Sequence, residues 1–368
     1  MSPTLVIILV GACVGASCAL VGSFLVLRKM SLLGDAISHA VLPGIVIAFL
    51  VTGSRASLPM ILGAGSLGLL TVMLVELFNR SRRLREDASI GVVFPALFSL
   101  GVILISRYAS QVDLDLDCVL YGEIAYAPLD TLTLAGRSIG PKALWVNGSI
   151  LAVILLFVGL LYKELKISTF DAGLAATLGF SPVLLHYLLM SAVSLTVVGA
   201  FESVGAILVV AMLVVPPAAA YLLTERLGAM LALSAALGVV SAAAGYGLAR
   251  WWDCSIAGAM ALVTGILFLL ALLFSPTHGL LARLVIHHRL GGRLATELLL
   301  LHLRKGGEGL PVAVLERRFG WEPRRLQRVL SRLLREGWVE RAGEGLRLTA
   351  SGSRALEKSG RMELAHQL

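Results

Sequence analysis

Long apolar stretches with sparse polar interruptions dominate the first three quarters of the chain. They lie near residues 4–27, 33–53, 58–78, 89–106, 145–162, 183–201, 204–223, 229–249 and 255–275. Most reach the length at which a helix rising 1.5 Å per residue crosses the hydrocarbon of a bilayer. The pattern predicts a polytopic α-helical membrane body over 1–275 with eight or nine spans. Pro43 and Gly44 fall inside the second stretch, which is therefore expected to be broken there.

Beyond residue 275 the pattern changes. A basic linker, 276–292, leads into a segment with helical and then alternating periodicity, 293–368. Helices are expected over 293–303, 312–319 and 324–335, the last opened by Glu322-Pro323 with proline at a permitted early position. Gly337 ends that helix, and residues 338–349 alternate as a hairpin around Gly343 and Gly345. The expected fold class is an all-α membrane protein with a C-terminal winged helix-turn-helix.

Charge divides the chain at the same place. Residues 1–275 carry 14 Lys+Arg and 14 Asp+Glu, whereas the remainder carries 17 and 9, so the whole net charge of +8 sits in the tail. Only 15% of residues are charged, against about 25% in soluble domains, and mean hydropathy is +0.88. A soluble enzyme and a disordered chain are excluded. Alternate loops differ in basic content. One set holds Arg28 and Lys29, then Arg80, Arg82, Arg83 and Arg85, then Lys163 and Lys166, then Arg226; the other holds fewer basic residues and the acidic run Asp113, Asp115 and Asp117. The first set is the cytoplasmic candidate. Nine spans put the N-terminus outside and the tail in the cytoplasm.

Ionisable groups inside hydrocarbon are costly, and each is a functional candidate. The stretch Met30-Ser-Leu-Leu-Gly-Asp35-Ala-Ile-Ser-His39-Ala-Val-Leu-Pro43-Gly44 carries two. Four residues apart, Asp35 and His39 project from one helix face. His39 lies eleven residues past Arg28, roughly 16 Å along a helix and so near mid-membrane. One carboxylate and one imidazole cannot enclose a metal ion, but two copies related by a two-fold axis would supply two of each. That donor set suits zinc, manganese or ferrous iron; the alternative is a hydrogen bond that serves helix packing. Glu202, at the junction of two apolar stretches, reads as a solvated loop end or as a pore acid. His186 reads as a packed or interfacial histidine. The chain has no GxxxxGK[ST], HExxH or GxSxG, and no CxxC among its four cysteines. It therefore has no phosphate-cradling loop of its own.

These residues resemble the integral-membrane permeases of ABC importers for manganese, zinc or iron. Leu27–Gly44 is similar to that family's most characteristic segment, Tyr121-Gly122-Glu123 to a short motif after the fourth span, and Val204–Ala220 to its late glycine-to-proline helix. The resemblance covers 4–275. It implies a second permease subunit (the same chain or a paralogue), two cytoplasmic ATPase subunits, an extracytoplasmic solute-binding protein and a bacterial inner-membrane location. Metal is then the transported substrate, with no permanently bound cofactor, ATP hydrolysis belongs to another chain, and Asp35 and His39 match the pair lining the metal path. The resemblance also implies a short helix that docks on the ATPase, at Thr169–Pro182, with Asp171, Gly173, Leu178 and Gly179 as its marked positions. From the residues alone, Asp171 is a plausible cap, with Gly179 and Pro182 as stop signals.

The tail resembles the N-terminal domain of iron- and manganese-dependent repressors, including Leu-Thr-x-x-Gly at Leu348–Gly352. That match ends before Glu363 and His366. Arg324, Arg325, Arg328 and Arg332 form a basic stripe suited to docking or regulation, to anionic lipid, or, as the least favoured reading, to nucleic acid.

Overall fold

The computed structural model describes residues 2–53, 57–80, 86–108, 124–134, 137–275, 279–281, 296–304, 310–311, 315, 323–342 and 345–356. The chain divides into two units, 1–279 and 280–368.

In the first unit four long helices come in succession: α1 (Pro3–Leu27), α2 (Ser31–Thr52), α3 (Ser57–Arg80) and α4 (Glu86–Tyr108). A 3-10 turn, Ile124–Tyr126, precedes the antiparallel pair β1 (Thr131–Leu134) and β2 (Arg137–Pro141). Then come α5 (Lys142–Leu160), two short helices α6 (Tyr162–Phe170) and α7 (Ala172–Thr177), and α8 (Pro182–Val204), α9 (Ala206–Leu223), α10 (Leu227–Trp252) and α11 (Ile256–Phe274). Among the described residues nine helices, all but α6 and α7, are long and apolar enough to cross a membrane. They coincide with the nine stretches read from the sequence. In hydrocarbon every backbone N–H and C=O must be satisfied within the segment, which is why such runs become helices. Hydroxyls follow the same rule: those of Ser17, Ser23, Ser38 and Thr71 each donate to the carbonyl four residues back.

α1 is the central helix, packed along α10 and against α9, α5 and α8. Small residues bring α1 and α10 close: a Cβ built on Gly15 would lie 2.9 Å from the Gly238 carbonyl, so no larger residue fits without separating the two helices. The Ser23 and Ser234 hydroxyls, 3.0 Å apart, join the same pair. α2 lies against α3 and α4. It differs from expectation, because it runs unbroken through Pro43. A proline costs a helix one donor and crowds one carbonyl, yet packed neighbouring helices can accommodate such a residue within a membrane helix. Here α3 does so at close range, since a Cβ on Gly63 would lie 2.5 Å from the Gly44 oxygen.

In the second unit, residues 296–304 are helical, and α12 (Pro323–Arg335) precedes β4 (Val339–Ala342) and β5 (Gly345–Leu348). With β3 (Leu310–Pro311) they form a sheet in the order β3-β5-β4, in which Val339 faces Leu348. Leu299, Leu303, Leu326, Leu333, Val339 and Leu346 are in its apolar core. Gly337 turns the chain at φ 67° after α12. Thr349 accepts from the Gly352 amide and donates to the Gly337 carbonyl, so the Leu348–Gly352 segment closes the hairpin onto the end of that helix. The linker 276–292 and the 312–319 helix expected from the sequence fall largely outside the described residues.

Candidate functional site

Asp35 and His39 sit in the second and third turns of α2. The Nε2 of His39 is 3.5 Å from Oδ1 of Asp35, with side chains 30% and 47% exposed. The helical spacing read from the sequence thus puts both groups on one face, and that face is accessible in the single chain. The imidazole is flanked by two rings of α4, Phe94 with centroids 5.0 Å away and Phe98 edge-on at 6.2 Å. Neither phenylalanine is marked by its sequence context, because a Phe in an apolar run is indistinguishable there from one that faces lipid. Together they form an apolar wall on one side of the histidine, leaving the Asp35 side as the polar approach. Among the described residues no cluster of three or more His, Cys, Asp or Glu occurs. The pair thus stands as one carboxylate and one imidazole, without a third such group grouped with it among the described residues.

Glu202 lies near the end of α8 and is half exposed. Its Oε1 accepts a hydrogen bond of 2.7 Å from Nζ of Lys142, at the start of α5, and the same ammonium lies 3.7 Å from Asp130. The three line an open cleft with Tyr126, Val146 and Ser203. Beneath it, Asn147 donates to Ser203 at 2.8 Å. Sequence reading misses Lys142 as the partner of Glu202 because sixty residues separate them. The run Asp113, Asp115 and Asp117, and the Tyr121-Gly122-Glu123 motif, lie outside the described residues.

At the opposite end of α1 a second polar group assembles. Arg28 donates from Nε to Thr169 at 3.2 Å and from Nη2 to Ser168 at 2.9 Å. Its Nη1 lies 3.5 Å from Nδ1 of His186. The other nitrogen of His186 is 3.7 Å from Glu76 on α3. His186 is thus a packed histidine within a polar network, one of the two roles its sequence context allows. Burial pushes the Arg28 pKa down from its ordinary value. An arginine nevertheless keeps its charge in proteins, so these hydrogen bonds hold a half-buried cation.

The segment after Thr169 folds as a short exposed helix. Asp171 caps α7, its carboxylate accepting from the Leu174 amide at 2.9 Å. Gly179 ends it in the left-handed region, φ 88°, and the Phe180 amide returns to the Ala175 carbonyl. Pro182 has another role than a stop: it is the first residue of α8, behind the Ser181 cap. Phe170, Leu174 and Leu178 are about half exposed or more, Gly173 and Gly179 are also exposed, and Ala175 is buried.

In the tail, Arg328 and Arg332 are exposed on α12, and Arg332 donates to Glu336 at 2.9 Å. The side chains of Arg324 and Arg325 lie outside the described residues.

Residues 3–275 match the ABC 3 transport family. The chain belongs to that family. Among similar members, the manganese transport system membrane protein MntD of Bacillus subtilis is 52% identical over 277 residues, covering 75% of this chain and 94% of that one. The zinc transport system membrane protein TroD of Treponema pallidum is 46% identical over 355 residues, 95% of this chain and 96% of its own. The TroD alignment therefore extends into the basic tail. A solved structure, PsaBC from Streptococcus pneumoniae in complex with Fab, matches with a TM-score of 0.63 and 31% identity, over 76% of this chain and 94% of that one. The ABC 3 assignment spans the whole nine-helix body, including α2 and α7.

Proposed function

We infer that this chain is the permease subunit of an ATP-binding-cassette importer for a divalent transition metal, manganese, zinc or iron, and is itself no enzyme. The observation that carries the reading is the half-site on α2: an acid and an imidazole on one accessible face of a membrane helix, in a chain of the ABC 3 family. Two such faces across a two-fold axis, from a second copy or a paralogue, would give a metal two imidazoles and two carboxylates. Two carboxylates would also neutralise a divalent charge in a low-dielectric place. The relatives named for manganese and for zinc support the substrate class and leave the individual metal open. Metal passes as cargo.

The exposed apolar helix α7 fits a docking segment for a separate cytoplasmic ATPase, with Leu174 and Leu178 as the docking face and Asp171, Gly173 and Gly179 shaping it. A binding protein would deliver metal at the other face, where Glu202 acts as the tethered partner of Lys142 and contributes to the mouth of the path. With the coupling end on the cytoplasmic side of a bacterial inner membrane, a nine-span topology would carry the tail to the cytoplasm too.

Reconstitution in proteoliposomes with the cognate ATPase and binding protein tests the reading. ATP-dependent uptake of one of manganese, zinc or iron is expected. Uptake indifferent to ATP would instead identify a channel or secondary carrier.

We propose that the second unit, which has its own apolar core and a hairpin after α12, is a winged-helix-like docking or regulatory module. Its stripe is partly spent internally, since Arg332 is engaged by Glu336. Accordingly, residues 280–368 should show no tight, sequence-selective DNA binding at physiological salt. Such binding would favour a membrane-tethered, metal-responsive regulator instead.

A further inference from the structure

The polar network around Arg28 joins the two parts of the site that transport must connect. Arg28 terminates α1, and α2 begins three residues later at Ser31. The turn between them is closely tied. The Arg28, Lys29 and Met30 amides donate to the carbonyls of Phe24, Val26 and Leu25, and the Leu33 amide to that of Met30, with Lys29 in the left-handed region at φ 62°. A displacement of Arg28 is therefore passed to the first turn of α2, and Asp35 follows in the next. On its other side the guanidinium holds Ser168 and Thr169, the residues just before Phe170 and the Asp171 cap of α7. Within unit 1, one side chain thus ties the turn that leads into the helix carrying Asp35 and His39 to the segment that carries α7.

Two further features suit a joint rather than a fixed brace. A cavity of about 270 Å³ lies beside the bridge, lined by Leu27 and Phe170, each the immediate neighbour of a bridged residue, together with Tyr221, Glu225, Arg226 and Met230. The end of α6 has space to shift there. The third arm of Arg28 reaches His186 at 3.5 Å, and through it Glu76 on α3, which itself packs on α2. Movement of α6 would thus be felt by α2 through the turn and by α3, which packs on α2. A guanidinium fork suits this role, because its donors lie in one rigid plane and keep their relative directions when the group moves.

We propose that Arg28 is the positioning residue that couples the ATPase-docking segment to the metal-bearing helix, converting displacement of α6–α7 into displacement of α2. The proposal rests on the permease reading, and specifically on α7 as the docking helix and Asp35–His39 as the metal pair.

The test measures ATP hydrolysis and metal uptake in the same proteoliposomes, with the ATPase and binding protein present and manganese, zinc and iron offered singly. Arg28→Ala is expected to keep ATP hydrolysis while the number of ions imported per ATP falls by about tenfold, in the range of ordinary coupling free energies. Arg28→Lys keeps the charge but not the fork, and should recover part of the ratio. Ser168→Ala removes the 2.9 Å arm from the other side and should give a smaller loss of the same kind. Combined with Arg28→Ala it should add nothing, as required of two residues acting through one contact. A wild-type ratio in Arg28→Ala and Ser168→Ala overturns the proposal. So does a proportionate loss of hydrolysis and uptake with a lowered melting temperature, which is what a purely structural arginine would produce. His39→Ala in the same assay separates the two levels. Normal uptake by that variant removes the metal-path reading, while the Arg28 ratio still decides whether the joint links hydrolysis to transport.

Discussion

His39→Ala is expected to lower ATP-driven metal uptake about 100-fold or more, with the chain still inserted and folded. The scale follows from metal chemistry: even residues that only orient a ligand cost 10–100-fold when removed, and an imidazole donor lost from both copies removes every nitrogen of the proposed sphere. Folding should tolerate the change. The ring is 30% exposed, and its contacts include Asp35 and two phenylalanines. A partly exposed side chain of this kind contributes on the order of 1 kcal/mol to stability, small against the packing of nine helices. Asp35→Asn keeps the shape of the carboxylate and removes its charge, and should fail in the same way. The checks are radiometal uptake in proteoliposomes beside the melting temperature of the purified complex. Normal uptake by either variant would show that the pair is a packing contact, the alternative that spacing alone leaves open.

The second large effect is expected at α7. Leu178→Asp puts a charge on a side chain that is 55% exposed, and so leaves the bundle intact. If the Leu174–Leu178 face is covered by an ATPase, that charge would be buried without a partner, which costs several kcal/mol. The ATPase should then no longer co-purify with the permease, and ATP-driven uptake should disappear. Metal binding by the detergent-solubilised permease should persist. Deleting residues 169–180 should stop transport as well. It would also remove Thr169, one of the two hydroxyls held by Arg28, so the point variant is the cleaner of the two. Persistent uptake after Leu178→Asp, with ATPase still bound, would place the docking surface elsewhere.

Local rules make much of the fold and the site legible in the sequence. The nine apolar stretches are the nine long helices because backbone groups in hydrocarbon have no partners except their own helix. Asp35 and His39 share a face because residues four apart on a helix always do. The Asp171 cap and the Gly179 terminus are readable because caps are set by residues within one turn of them. Sequence reading fails where the deciding partner is remote or the local signal ambiguous. Pro43 looks like a break, yet α2 continues as helix through it, packed closely on α3 at Gly63. Pro182 looks like a stop and is instead the first residue of α8, since the same ring that ends one helix is preorganised to begin another.

The sequence by itself determined the class of molecule, the apolar stretches that become long helices, the basic tail, and the helix face shared by Asp35 and His39. Each follows from composition or from neighbours a few residues apart. Only the tertiary structure decided what surrounds that pair, with Phe94 and Phe98 of α4 walling the imidazole. It alone showed that Lys142 holds Glu202 and that Arg28 reaches 140 residues along the chain to Ser168. Those relations depend on which helices become neighbours. That choice is made by the fit of small residues such as Gly15 on Gly238, a property of two surfaces that no single stretch of sequence contains.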